Sequence, residues 1–182
     1  TVPFAFASAA LLNKKLESGW LESIRRWSLF SWVFLTIGNI LGMQWAYVEL
    51  GWGGYWAWDP VENSSLLPWL TGTAFLHSIV VQERKGMLKT WNMVLIALTF
   101  ALTIFGTFVT RSGLISSVHA FGVSDLGPLF LGFLALILIV STVLILSRKA
   151  ELKSSHQLYT WTSKESSFIL NNMLFSAITL GV

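Results

Sequence analysis

The stretch WNMVLIALTFALTIFGTFVT, residues 91–110, carries no charge and is long enough to cross a bilayer. A spanning helix needs roughly 20 mostly apolar residues, because a rise of about 1.5 Å per residue must cover about 30 Å of hydrocarbon. The stretch PLFLGFLALILIVSTVLILS, residues 128–147, reads the same way. Two further blocks, 27–44 and about 66–81, complete four spans. Shorter apolar runs at 1–12 and 168–182 read as parts of two more. The expected fold class is all-α, a polytopic transmembrane helix bundle. The chain is expected to be an internal segment of a larger multi-span domain.

Composition points to the same solvent. Of 182 residues, 54% are hydrophobic and 12% charged, against about 25% charged in a soluble domain. The absence of cysteine excludes disulfides, cysteine-ligated zinc and thiol nucleophiles within the chain. The net charge of +3 is spread over short clusters between apolar blocks. Nucleic-acid binding needs a continuous basic surface, so no nucleic-acid partner is expected.

The basic residues predict sidedness. Segments 13–26, 82–90 and 148–166 contain Lys14, Lys15, Arg25, Arg26, Arg84, Lys85, Lys89, Arg148, Lys149, Lys153 and Lys164. The loops 45–65 and 111–127 contain Arg111 alone. The two loops are therefore expected on the extracytoplasmic side. Small residues suggest where helices pack: Gly38 and Gly42 form a G-x-x-x-G pair, and Thr99, Thr103, Gly106, Thr107 and Thr110 form a stripe.

The segment WAYVELGWGGYWAWDPVENSSLLPW, residues 45–69, is the chemically informative one. It holds Trp45, Trp52, Trp56, Trp58 and Trp69, with Tyr47 and Tyr55 among them. Its acids are Glu49, Asp59 and Glu62, and it contains no base. Gly51, Gly53 and Gly54 permit sharp turns. Pro60 suits the first turn of the following helix, with Asp59 as its N-cap. Interfacial enrichment of aromatic side chains explains Trp27 or Trp91 at helix ends. It does not explain this density together with glycines and acids. An outer interfacial loop presenting flat apolar faces to a planar ligand does, with the polar ring edges left to orient it. A porphyrin is such a ligand, and its iron needs axial ligands.

Three histidines are available: His77, His119 and His156. His77 lies within a span, where an ionisable residue marks function or a hydrogen bond across helices. His119 lies in the outer loop 111–127, the compartment of the tryptophans. His156, in a basic loop, reads as idle. His77 is eight residues beyond Trp69, so roughly 12 Å deeper along a helix. It cannot share an iron with an outer His119. Two haems would be served, each needing a second ligand from outside this segment. Arg111 suits a haem propionate or a lipid headgroup phosphate equally.

The run WGGYWAWDPVENSSLLPWL, residues 52–70, closely resembles the WWD signature of haem-handling membrane proteins. Its WDPVEN followed by PWL resembles the CcmF branch, including NrfE. The similarity continues through TGTAFLHSIVVQERKG (71–86) and GTFVTRSGLISSVHAF (106–121), covering roughly residues 35–150. This resemblance implies a subunit of the system I cytochrome c haem lyase, which promotes carbon–sulfur bond formation between haem and the C-x-x-C-H motif of apocytochrome c. It implies a haem chaperone, CcmE, and a CcmH-type subunit presenting the apocytochrome as partners. It implies an outer haem surface formed by Trp52, Gly53, Trp56, Trp58, Asp59, Pro60, Glu62 and Asn63. His119 would ligate a transient outer haem, and His77 a resident haem b in the membrane. A bulkier aromatic often stands in the family where this chain has Tyr55 and Ala57. The implied location is a bacterial inner membrane or its organelle equivalent. Two rival readings are a haem transporter and a haem b protein that oxidises quinol at the outer loop. The uninterrupted third and fourth spans count against the transporter.

Overall fold

A computed structural model describes residues 1–14, 19–51, 53–112, 126–154 and 164–182, the side chains of 164 and 165 excepted. The described residues form six helices. They are α1 (Val2–Asn13), α2 (Gly19–Val48), α3 (Pro60–Lys85), α4 (Lys89–Arg111), α5 (Gly127–Ser147) and α6 (Lys164–Gly181). Helices α2 to α5 are long and apolar enough to cross a membrane. The chain is an integral membrane protein of the all-helical class expected from its sequence.

Helix α2 begins at Gly19, earlier than the apolar block at 27. Its first turns are amphipathic, and Arg26 pairs with Glu22 one turn back. Charged residues therefore extend the helix beyond the hydrocarbon, at positions where hydropathy alone sees no span. At the other end α2 runs to Val48 and takes Trp45 and Tyr47 into helix. Helix α3 starts at Pro60, in the expected N1 position, with Asp59 as N-cap. The irregular segment between these helices is shorter than the expected loop.

Helix α3 sits at the centre, packed against α2, α4 and α6. Helix α4 also meets α5 and α1. Ile24, Ala74, Ile79 and Leu95 are almost wholly buried in the shared core. Near the basic end, Arg25 on α2 pairs with Glu83 on α3 at 3.0 Å. Arg148, just past α5, donates from Nε to the Leu11 carbonyl of α1 at 2.9 Å. The end of α3 and the start of α4 share a buried amide network. Asn92 Nδ2 donates to Gln82 Oε1 at 2.6 Å, and the Ser78 hydroxyl donates to Asn92 Oδ1. Polar side chains buried in a bundle are tolerated when each finds a partner in this way.

The small-residue expectations divide. Thr99 donates to Thr71 of α3 at 2.8 Å. A Cβ added at Gly106 would lie 3.4 Å from the Ser64 carbonyl oxygen. Pro68 explains that contact: it has no N–H for the carbonyl four residues earlier, which is that of Ser64. No described helix packs on the G-x-x-x-G pair. A Cβ at Gly38 or Gly42 would meet nothing within 4 Å. The face of α2 that contacts α3 is instead the one bearing Trp32 and Thr36.

Candidate haem-handling site

The segment from Glu49 to Asp59 joins α2 to α3 through several left-handed residues. Gly51 and Gly53 have φ of 65° and 68°, which glycine adopts without strain. Trp58 has φ 59°. A bulky side chain there costs on the order of 1–3 kcal/mol and persists only when its surroundings impose it.

The first turn of α3 imposes it. Glu62 Oε2 accepts from the backbone N–H of Ala57 at 3.0 Å and from that of Asp59 at 3.3 Å. Asn63 Nδ2 donates to the Trp58 carbonyl at 3.4 Å. Asp59 Oδ2 accepts from Val61 N–H at 3.0 Å, completing a reciprocal capping box with Glu62. The peptide group between Trp58 and Asp59 is thus held at both its N–H and its carbonyl, and the one between Trp56 and Ala57 at its N–H, all from α3. Glu62 is buried by this arrangement.

The clamped residue faces outward. The Trp58 ring is 64% exposed. Trp56 meets it edge-on, with centroids 6.3 Å apart at 82°. Tyr55 stacks on Tyr47 of α2 at 4.7 Å and 18°, tying the segment to the preceding helix. Trp56 Nε1 and Asn63 Oδ1 are buried without a hydrogen-bond partner among the described residues. A buried donor and acceptor left open beside exposed rings fit a polar, planar guest.

Trp69 lies apart from these rings. It stacks on Trp32 at 5.7 Å and 25°. Its indole N–H donates to the Thr36 hydroxyl, and that of Trp32 donates to the Thr73 hydroxyl, each at 2.8 Å. Each threonine passes its own proton one turn back along its helix. Thr36 donates to the Trp32 carbonyl at 2.8 Å and Thr73 to the Trp69 carbonyl at 2.7 Å. Two W-x-x-x-T sequences on α2 and α3 form a reciprocal clasp. Trp69 was expected to contact the ligand, and the structure uses it to join the helices.

His77 lies one turn beyond Thr73. Its Nδ1 is 2.9 Å from the Thr73 carbonyl oxygen. A carbonyl only accepts, so Nδ1 is the donor, and in the neutral ring this leaves the lone pair on Nε2. That tautomer, held by a backbone carbonyl, is the usual state of a metal-ligating histidine. The ring is half-buried and stacks on Phe175 of α6 at 5.9 Å and 16°, with Phe168 at 6.3 Å. These phenylalanines were not foreseen. Nothing in the sequence spacing links residues 77 and 175.

Arg111 ends α4 and is exposed. The contact between Gly106 and Ser64 brings that end of α4 close to the start of α3. Gly53 and Pro60 are exposed at the surface of the same segment. Trp52, His119 and His156 lie outside the described residues.

These features define a polytopic helical membrane protein with a clamped aromatic surface at one end of its bundle and an oriented histidine on a central spanning helix. Residues 3–116 match the family described as Cytochrome C assembly protein, and the chain belongs to that family. It is 46% identical over 175 residues to the cytochrome c-type biogenesis protein CcmF of Pseudomonas aeruginosa, covering 96% of this chain and 26% of that protein. It is 40% identical to the cytochrome c-type biogenesis protein NrfE of Haemophilus influenzae, covering 98% of this chain and 28% of that one. A solved structure of Cytochrome c Heme Lyase CcmF matches with a TM-score of 0.78 at 39% identity, covering 98% of this chain and 26% of that one. The resemblance to the CcmF branch, NrfE included, is borne out. The chain spans about a quarter of the length of these relatives.

Proposed function

We propose that this segment presents haem on the outer side of the membrane for attachment to apocytochrome c, as part of a system I haem lyase subunit. The observation that carries this reading is the exposed Trp58, held at a left-handed backbone by Glu62 and Asn63. The clamp holds a large apolar ring away from this chain's own core. A ligand that covers the ring accounts for it.

Trp58, Trp56 and Tyr55, with Trp52, would pack against the macrocycle. Arg111 would meet a propionate and His119 the outer iron. His77 would ligate a resident haem b through Nε2. Bound haem supplies the vinyl groups to which the substrate cysteines add. The chain's contribution is positioning: a rigid aromatic face, a fixed histidine tautomer, and exclusion of water from the covered rings. The nucleophiles come from the C-x-x-C-H motif, in keeping with a chain that has no cysteine. CcmE would deliver the haem, and a CcmH-type subunit would present the apocytochrome. The membrane is a bacterial inner membrane or its organelle equivalent, with the aromatic segment facing out.

Visible and reduced pyridine spectra of the full-length protein, purified from membranes, test the reading. Wild type is expected to carry a b-type signal that His77→Ala abolishes. Trp58→Ala should keep that signal and lose cytochrome c maturation in cells. A protein that oxidises quinol while leaving cytochrome c assembly untouched by either substitution would overturn the lyase reading in favour of a quinol-oxidising haem b protein.

A further inference from the structure

At the basic end of the bundle, away from the aromatic segment, the start of α4 and the turn after α5 enclose a cleft of about 800 Å³. Lys89, Lys149 and Lys153 line it, together with Thr90, Trp91 and Ser154. Among the described residues no carboxylate lines it. None of the three lysines makes an ion pair among the described residues. Glu151, the nearest acid in sequence, is exposed and outside the cleft.

The helix end adds to this charge. Leu88 is the N-cap of α4, at φ 62°, and offers no side-chain acceptor to the first turn. That turn contains no acid, and Lys89 stands at its first position. The open N–H groups of a helix start form a partial positive charge that favours anions. A lysine there, with two more facing it, is an unfavourable grouping unless an anion joins it. The Trp91 indole N–H is bound to Asn172 Oδ1 of α6 at 3.1 Å, which holds the ring at the cleft wall.

Exposed apolar side chains lie on α5 just before the cleft in sequence. Leu146 and Val143, on the last turns of α5 before Lys149, are 63% and 59% exposed. A phosphate that brings two acyl chains satisfies both features, whereas free phosphate satisfies one. We propose that this cleft binds the phosphodiester of an anionic phospholipid, with the acyl chains lying along α5. The lysines and the first-turn N–H groups of α4 receive the phosphate, and Trp91 sits at the glycerol level.

The test uses the full-length protein in detergent, titrated with phosphatidylglycerol, phosphatidylcholine or inorganic phosphate and read by native mass spectrometry. Each lysine near a headgroup contributes about fivefold, so Lys89→Gln/Lys149→Gln/Lys153→Gln should weaken phosphatidylglycerol binding on the order of a hundredfold. Lys14→Gln/Arg26→Gln/Arg84→Gln removes as many charges from the same end of the bundle and should leave binding within a few fold. Equal losses in the two variants, or no loss in the first, would overturn the proposal. So would inorganic phosphate competing at the same concentration as the lipid. Amine acylation of wild type is independent of any variant's folding. Phosphatidylglycerol should protect Lys89, Lys149 and Lys153 and leave Lys14 reactive. Lysines that are equally reactive with and without lipid, or protected before lipid is added, would sink the idea.

Discussion

Trp32 and Trp69 lie between two helices, with stacked rings and both indole N–H groups bound to threonines. Trp56 and Trp58 lie a few residues before the same central helix, one with its N–H buried and unmatched, the other largely exposed. One residue type thus serves two regions in opposite ways. In the clasp every polar edge is satisfied and the rings join helices. In the segment before α3, the hydrogen bonds go to the backbone around the rings, and the rings themselves are left open. A region that satisfies its side chains is built for stability. A region that satisfies its backbone and exposes its side chains leaves those side chains available to a ligand, as proposed for Trp56 and Trp58.

Removing a clasp ring should do the most damage to the fold. Trp69→Ala leaves a hole between α2 and α3 and strips the Thr36 hydroxyl of its donor. A loss of about 3–5 kcal/mol is expected for an aromatic truncated in a packed site. Thermal unfolding of the full-length protein in detergent should show it as a large fall in Tm. If Trp69→Ala unfolds like wild type but cannot handle haem, the division between the two regions is wrong.

Glu62→Ala comes next. The N–H groups of Ala57 and Asp59 lose their acceptor, at a cost of about 1–3 kcal/mol. The Trp58 backbone should then relax out of its left-handed conformation. Hydrogen exchange at those two amides would report the release, and cytochrome c maturation should fall with it. Glu62→Gln keeps an oxygen that accepts the same bonds and should retain most of both. If the glutamine variant fails as fully as alanine, the carboxylate charge matters beyond the clamp.

Trp58→Gly reverses the sign. Glycine adopts the left-handed backbone freely, so folding should be unchanged or gain about 1 kcal/mol, while maturation is lost. A fall in Tm comparable to that of Trp69→Ala would show Trp58 to be a packing residue after all.

Much of this architecture is readable before any coordinates. The uncharged runs that became α4 and α5 need no partner to be recognised, because lipid dictates their length. Asp59 and Pro60 mark the start of α3 by local chemistry alone. The clamp is half-legible. The Asp59–Glu62 spacing is that of a capping box, but nothing in it says that Trp58 would be left-handed. The clasp is less legible still. Its two W-x-x-x-T repeats stand in plain view at residues 32–36 and 69–73, yet pairing them requires the antiparallel register of α2 and α3. Gly38 and Gly42 are silent for the same reason: small residues permit a close approach without naming the neighbour, and no described helix makes it. Phe175, stacked on His77, depends on a contact across almost a hundred residues, which no local pattern encodes.

The finest test separates ring from hydrogen bond within the clasp. Trp32→Phe keeps an aromatic face for Trp69, deletes the N–H that donates to Thr73 and leaves a smaller ring in its place. Hydrogen bonds between membrane helices average about 0.6 kcal/mol, because the unfolded helices also find partners in lipid. The single variant should therefore lower stability by at least that amount, the smaller ring adding its own packing loss. Trp69→Phe, the equivalent change across the clasp, should do the same. Because each threonine links one indole to the carbonyl of the other tryptophan, the two bonds share a closed circuit, and their losses should not add. A double-mutant cycle on Tm-derived stabilities measures the coupling. Non-additivity of about 0.5 kcal/mol or more would make the clasp a single unit extending through Thr73 to the carbonyl that orients His77. Strict additivity would reduce it to two independent bonds, and the b-type spectrum should then be indifferent to both.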